Sequence, residues 1–205
     1  MNSLIRNILV ILAFSLVIAA CSNEKKIENT AIEHIRKQMK DPESLKIESI
    51  EVFKDTIPVF LNNDILSATK KTVEAMKEFS YYSEKDDYLW YSEKRKSAQK
   101  FGEVQDNLKA LTQSALDAEP VIEYVAIMKC SGKNSYGGTA SSKHILIFDK
   151  NNPEKIIGEF DIDSDFMEKY IAFKMSTSPN SIKQNQFGKF ETDNMPKIEQ
   201  FILSE

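Results

Sequence analysis

The chain is poor in the side chains that most often carry chemistry. Among 205 residues there are two cysteines, two histidines and one tryptophan. No Cys-x-x-Cys pair occurs, and His34 and His144 have no second histidine four positions away, so the spacing gives a zinc site little support. No Gly-x-Ser-x-Gly elbow is present for serine-based hydrolysis. An excess of positive charge is also missing: 27 Lys and Arg stand against 31 Asp and Glu, for a net charge of -4. Lys and Glu are interleaved rather than blocked. A nucleic-acid partner would need a basic face, so this balance argues against one and against adsorption to anionic lipid.

Long hydrophobic runs are lacking too. The apolar stretch Ile8–Ile18 follows the single positive charge of Arg6 and spans eleven residues. A membrane-crossing helix needs roughly twenty, so a secretory signal segment is the better reading. It stops at Ile18-Ala19-Ala20-Cys21, with small residues where a peptidase requires them. These four residues resemble the lipobox of bacterial lipoproteins. The resemblance implies that residues 1–20 are removed, that the Cys21 thiol takes a diacylglycerol and that the new amino terminus is acylated. The protein would then be held on a membrane of the cell envelope, since two or more acyl chains give stable attachment. Ser22 follows Cys21, which in Gram-negative lipoproteins favours the outer membrane, facing the periplasm. With Cys21 so used, Cys130 has no partner for an intramolecular disulfide.

What remains after residue 20 is about 185 residues, within the range of a single domain. Residues 21–29 read as a polar tether, and 30–205 as one α+β domain. A first helix is expected from Asn29 to Lys40, with Ile32, Ile35 and Met39 on one face and a stop at Asp41-Pro42. Leu45–Lys54 reads as a strand in which Leu45 and Ile47 face one way and Ile50 and Val52 the other, so a bulge is expected near Glu48 or Ser49. From about 62 to 118 the pattern is helical, and no Gly or Pro interrupts it before Gly102. One stripe runs through Leu66, Thr69, Val73, Met76 and Ser80, another through Tyr91, Ala98, Phe101, Leu108, Leu111 and Ala115. An antiparallel hairpin bent around Ser83–Asp87 would bury both, and one long helix fits the pattern as well.

The remainder predicts an antiparallel sheet of three or four strands. Val121–Cys130 is apolar on both faces, as in a central strand, and Lys143–Asp149 and Lys155–Ile162 are its continuation. Turns are expected at Ser131–Ser142 and at Asn151-Asn152-Pro153. A helix capped by Asp163 or Ser164 should present Met167, Tyr170, Ile171, Lys174 and Met175 on adjacent turns. After Ser178-Pro179 a polar loop leads to a short terminal helix, Met195–Leu203.

Two further motifs carry a resemblance. They are Met39-Lys40-Asp41-Pro42-Glu43-Ser44 and Cys130-Ser131-Gly132-Lys133-Asn134-Ser135-Tyr136-Gly137-Gly138. Their order and context are similar to those of small exported bacterial proteins of unknown function, from which this chain departs by the long helical stretch between the motifs. Structurally, Asp41 and Ser44 can bond nearby backbone and turn the chain, while Asn134, Gly137 and Gly138 suit positive φ in a hairpin loop. Functionally, Lys133, Asn134, Ser135 and Tyr136 could offer donors to a carbohydrate, a peptide or an anionic headgroup.

Other candidates are weaker by composition. Cys130 as a nucleophile would need a base and an electropositive niche, and a buried inert thiol is the simpler reading. Asp86/Asp87 or Asp161/Asp163/Asp165 could serve a glycosidase or hold calcium. The second set lacks the glycine and distal glutamate of a calcium loop, so helix capping explains it better. The aromatic cluster Phe79, Tyr81, Tyr82, Tyr88, Trp90 and Tyr91 lies near the hairpin bend and could pack internally or form a contact surface. The expectation is therefore a non-enzymatic, lipid-anchored interaction module with no cofactor and no metal, engaging an envelope protein or peptidoglycan. Its alternatives are an envelope hydrolase using carboxylates in a cleft and a structural component of an envelope assembly.

Overall fold

A computed structural model describes residues 23–85, 90–133, 136–176 and 194–204. The lipobox with Cys21, then Asp86, Asp87 and Tyr88, Asn134 and Ser135, and Ser178-Pro179 lie outside the described residues. The fold is α+β with a four-stranded antiparallel sheet. The chain divides into two compact units, one of residues up to Asp55 with Ile122–Asp161, the other of Thr56–Val121 with the residues from Ile162 on. The helical insertion expected at 62–118 thus shares its unit with the C-terminal part of the chain.

The sheet unit begins with helix α1, residues 23–38. Among the described residues it is helical already from 23, upstream of the expected Asn29, so residues 23–29 of the stretch read as a tether are helical. The reason is Ile27, which extends the stripe of Ala31 and Ile35 one turn upstream and is fully buried. The charges of Glu24, Lys25 and Lys26 concealed this continuation from a hydropathy reading. Beyond the helix, Pro42–Ser44 makes a single 3-10 turn, and the Ser44 hydroxyl donates to the Asp41 carbonyl at 2.7 Å.

Strands β1 (Lys46–Thr56), β2 (Ile122–Lys133), β3 (Thr139–Asp149) and β4 (Asn152–Asp161) follow one another in space as in sequence. Leu45, Ile47 and Ile50 all pack against the cluster of Ile35, Met128 and Cys130, although Ile47 and Ile50 differ in parity. A second cluster joins Ile27 and Ala31 of α1 to Ala126, Leu146 and Phe148. Thus α1 covers one face of β2 and β3, while Val125, Ile127, Ile145 and Ile147, of the other parity, are buried as well. That is the pattern of central strands.

The β2–β3 ladder runs on to Lys133↔Thr139, through most of the segment read as a turn. Ser, Gly and Ala there give no apolar signal, yet pairing along a continuous ladder keeps them extended. The 3-10 turn also holds this end of β2, because the Ser44 hydroxyl accepts the Lys133 amide at 2.9 Å. β4 includes Asn152 and Pro153, also read as turn; at the start of an edge strand a proline removes no ladder donor that is needed.

The helical unit contains α2 (Asn63–Ser83), α3 (Tyr91–Asp117), α4 (Ser164–Ser176) and α5 (Met195–Leu203). Two helices, not one, occupy the central stretch. They run antiparallel, since Thr72 meets Val104, Glu78 meets Lys100, Phe79 stacks on Phe101 and Ser83 meets Lys94. Asn62 caps α2 by accepting the amides of Asp64 and Ile65.

The buried faces differ from expectation in three places. On α2 Leu66, Thr69 and Val73 are buried as expected, but Met76 and Ser80 are exposed, and Thr72 and Ala75 are buried instead. On α3 the buried positions are Ser97, Leu108, Thr112 and Leu116, while Tyr91 and Ala98 are exposed. Ser97 and Thr112 donate their hydroxyls to the carbonyls of Lys94 and Leu108, and so bury as small apolar groups that hydropathy overlooks. On α4 the inner face is Phe166, Tyr170 and Phe173, around Phe60, whereas Ile171 and Met175 are exposed. Aromatic packing sets the rotation of this helix, and Asp163 fixes its start by accepting the Phe166 amide at 2.8 Å.

Candidate functional site

The sheet unit assembles a polar constellation on the face covered by α1. Glu159 and Asp161 lie two apart on β4 and therefore on one face. Register places Asp161 opposite His144 and Glu159 opposite Leu146. The next pair inward, Met128↔His144, lies near Cys130↔Ser142, so β2 and β3 add Cys130, Ser142 and His144 to the same face. α1 contributes His34 and Gln38, one turn apart and one residue off its apolar stripe.

The contacts form two linked sets. His144 Nδ1 lies 2.6 Å from Asp161 Oδ1, and its Nε2 lies 2.9 Å from Ser142 Oγ. Ser142 Oγ is in turn 3.3 Å from Cys130 Sγ. In the second set His34 Nε2 is 2.9 Å from Glu159 Oε2, while the Gln38 amide donates to Glu159 Oε1 at 2.9 Å. His144, Glu159 and Asp161 each offer one ligand-type atom within 4.8 Å of the other two. A cleft of about 240 Å³ opens beside them, lined by Gln38, Met39, Cys130, Gly132, Ser142 and His144 among others.

Electrostatics match this geometry. Burial works against the charged form of His144, but hydrogen bonding with Cys130 and Asp161 outweighs it and raises its pKa above the ordinary histidine value. Burial likewise favours neutral Cys130, yet the His144 and Ser142 hydrogen bonds bring the thiol below its usual pKa. Glu159 is lowered, with partial burial opposed by hydrogen bonds from His34 and Gln38. Chemically, the set can hold a proton or a cation between imidazole and carboxylate. Ser142, His144 and Asp161 follow the order of a nucleophile, base and orienting acid, but the Asp161 side chain is 63% exposed, unlike the buried acid of such triads.

Sequence reasoning found little support for a zinc site at His34 or His144 and saw no reason to join them to Glu159. The missing signal was long-range pairing. Only the parity of Glu159-x-Asp161 was available from the chain itself.

The residues singled out beforehand are distributed over other places. Lys133 and Thr139, with Asp41, Glu43, Ser44 and Lys46, line a hollow of about 310 Å³, so the two exported-protein motifs meet in space. Tyr136 is 96% exposed, and Gly137 has φ +79, which favours glycine. At the bend of the α2–α3 hairpin, the rings of Tyr81 and Tyr82 meet edge to face at 5.2 Å, and Tyr82 and Trp90 lie 5.8 Å apart. Lys85 Nζ lies 4.6 Å from the Tyr81 ring centre. Tyr81, Trp90 and Tyr91 are 55%, 38% and 65% exposed, whereas Phe79 stacks on Phe101 within the hairpin. On the helical unit a groove of about 730 Å³ runs between Val73, Met76, Phe101, Met167, Ile171 and Met175.

Asp161, Asp163 and Asp165 do not converge as calcium ligands would. Asp161 faces His144, Asp163 caps α4, and Asp165 pairs with Lys169. Among the described residues no helix is long and apolar enough to cross a membrane. No protein-family model, no curated protein and no solved structure matches this chain.

Proposed function

We propose that this chain is a lipid-anchored lipoprotein of the bacterial cell envelope, attached through acyl groups on Cys21, whose folded part is a non-enzymatic interaction module. The anchor rests on the charge, apolar run and Ile18-Ala19-Ala20-Cys21 ending of the first twenty-one residues. The module reading is carried by one observation: Tyr81, Trp90 and Tyr91 are exposed at the bend of the helical hairpin, with half-buried Tyr82 in ring contact with both Tyr81 and Trp90. Aromatic rings with polar tips supply contact area at low entropic cost, and they stack equally on partner side chains and sugar rings. Membrane attachment raises the local concentration of such a module near partners on that surface, so individually weak contacts suffice. An outer-membrane location facing the periplasm follows if the cell is Gram-negative.

The apolar groove with Met76, Ile171 and Met175 favours a second reading, a structural component of an envelope assembly. The hydrolase alternative has less support. Glu159 and Asp161 converge, but each faces a histidine, and Glu159 is held ionised rather than raised towards a general acid.

A photoreactive residue placed at Tyr82 or Trp90 in living cells, followed by mass spectrometry of the adducts, tests the module. One dominant envelope protein is the expected adduct, with peptidoglycan fragments as the glycan form of the same result. Absence of any specific adduct from either position would remove the hairpin bend as a contact surface. The anchor is tested separately, because Cys21→Ala should abolish labelling by a fatty-acid analogue and leave an uncleaved or soluble precursor. Unchanged labelling would defeat it.

A further inference from the structure

We propose that His144, Glu159 and Asp161 form a binding site for one divalent first-row transition metal of the zinc class. Three potential ligands from two strands meet on one face, His144 from β3 and Glu159 and Asp161 from β4, each with a ligand-type atom within 4.8 Å of the other two. His144 Nδ1 lies 2.6 Å from Asp161 Oδ1, while His34 of α1 stands behind Glu159, 2.9 Å from its Oε2, and positions that carboxylate. In the metal-free protein a proton must occupy the gap between His144 and Asp161. A metal would take its place, the proton passing to solvent, with a modest shift to the ligand–ligand spacing of about 3.3 Å that Zn–N and Zn–O distances near 2.0–2.2 Å require in a tetrahedron.

The outer layer fits the same purpose. Metal-bound imidazoles donate their remaining N–H to a fixed acceptor. With His144 Nδ1 facing the carboxylates, its Nε2 lies 2.9 Å from Ser142 Oγ, and Cys130 Sγ stands behind that hydroxyl. On the other side the Gln38 amide holds the second oxygen of Glu159 at 2.9 Å. His144 is buried and Asp161 exposed, so the site has one anchored wall and one open side for an exchangeable ligand.

Ligand chemistry narrows the ion. One imidazole with two carboxylates and an open position suits zinc, cobalt, nickel, iron or manganese, whereas calcium takes six to eight oxygens. The charge balance agrees, because two carboxylates neutralise a divalent ion.

The test uses the full chain in detergent micelles, stripped with a chelator and titrated with Zn²⁺ in competition with a chromophoric chelator. Co²⁺, followed by its visible absorption, reports the ligand field. One equivalent of zinc should bind, and Co²⁺ should give the intense bands of a four- or five-coordinate site. Glu159→Gln and His34→Ala should each weaken zinc at least tenfold, and Ser142→Ala by roughly tenfold through loss of the supporting bond. Asp106→Asn, in α3, should change nothing. His144 is buried, so its replacement would probe folding as much as binding; the partly exposed Glu159 and His34 carry the test, with circular dichroism checking their fold. Absence of stoichiometric zinc binding in the wild type overturns the proposal. So does wild-type affinity in both Glu159→Gln and His34→Ala.

Discussion

In the helical unit, Thr69 and Thr112 are buried and each donates its hydroxyl to the carbonyl four residues earlier, while Thr72 does so and also reaches the Val104 carbonyl across the hairpin at 3.4 Å. In the sheet unit, by contrast, the partners are distant in sequence: Gln38 and Glu159 are 121 residues apart, His34 and Glu159 125, His144 and Asp161 17. A hydroxyl satisfied within its own helix leaves nothing to specify outside that helix. A polar group whose partner comes from another element fixes how those elements meet, and converging partners create a place where a ligand can be held. The comparison thus separates a unit that offers apolar and aromatic surface from one that offers chemistry.

Burial dominates stability in both units, and the largest effects should therefore be alike. Phe148→Ala removes a fully buried ring from the cluster beneath α1 and should cost about 3–5 kcal/mol by chemical denaturation. Leu108→Ala in α3 should cost about 2–5 kcal/mol for the same reason. A loss under about 1 kcal/mol at either site would mean that its packing is looser than the contacts imply.

Polar substitutions should split the units. Thr112→Val keeps the shape, and the Leu108 carbonyl retains its place in the helix, so the change should stay below about 1 kcal/mol. Asp161→Ala in metal-free protein strips the buried His144 ring of its Nδ1 partner and should cost about 1–2 kcal/mol, less than a fully buried pair because the carboxylate is exposed. Equal costs for these two variants would erase the distinction drawn between local and long-range satisfaction.

How much of this was legible follows the same division. α5 is found with the expected limits, Asp163 caps α4 as one of the two residues foreseen, and β2 was recognisable as central, because periodicity and capping are local properties. The helical state of residues 23–28 was hidden by charge around Ile27, and the buried Ser97 and Thr112 by hydroxyls whose bonding hydropathy does not register. The motif residues Ser44 and Lys133 were noticed separately, but their contact across 89 positions was not. That contact offers a smaller test. Ser44→Ala leaves the Lys133 amide without this partner at the exposed end of β2, and a loss of about 0.5–1.5 kcal/mol is expected, with faster amide exchange at Lys133. Unchanged exchange there would show that the 3-10 turn does not hold the strand end.

The smallest effect expected is also the one that joins the polar constellation to the ion proposed for it. In metal-free protein Glu159 is lowered, so its contribution is full above the ordinary glutamate pKa of about 4.3 and is lost as pH falls through its depressed value. His144 is raised, so its contribution is full below the ordinary histidine pKa of about 6.5 and is lost as pH rises through its raised value. Both are present together between about pH 4.3 and 6.5, where the thermal midpoint of the chelator-treated protein should be highest. Glu159→Gln should flatten the acid limb and leave the alkaline one. Zinc should do the reverse: a bound metal needs His144 unprotonated, so the midpoint gained on adding Zn²⁺ should grow as pH rises from 5 to 7, roughly the histidine range. A zinc-induced gain independent of pH would place the ion away from His144, and no optimum in the metal-free profile would mean that the long-range pairs of the sheet unit contribute as little to stability as the local hydroxyls of the helical one.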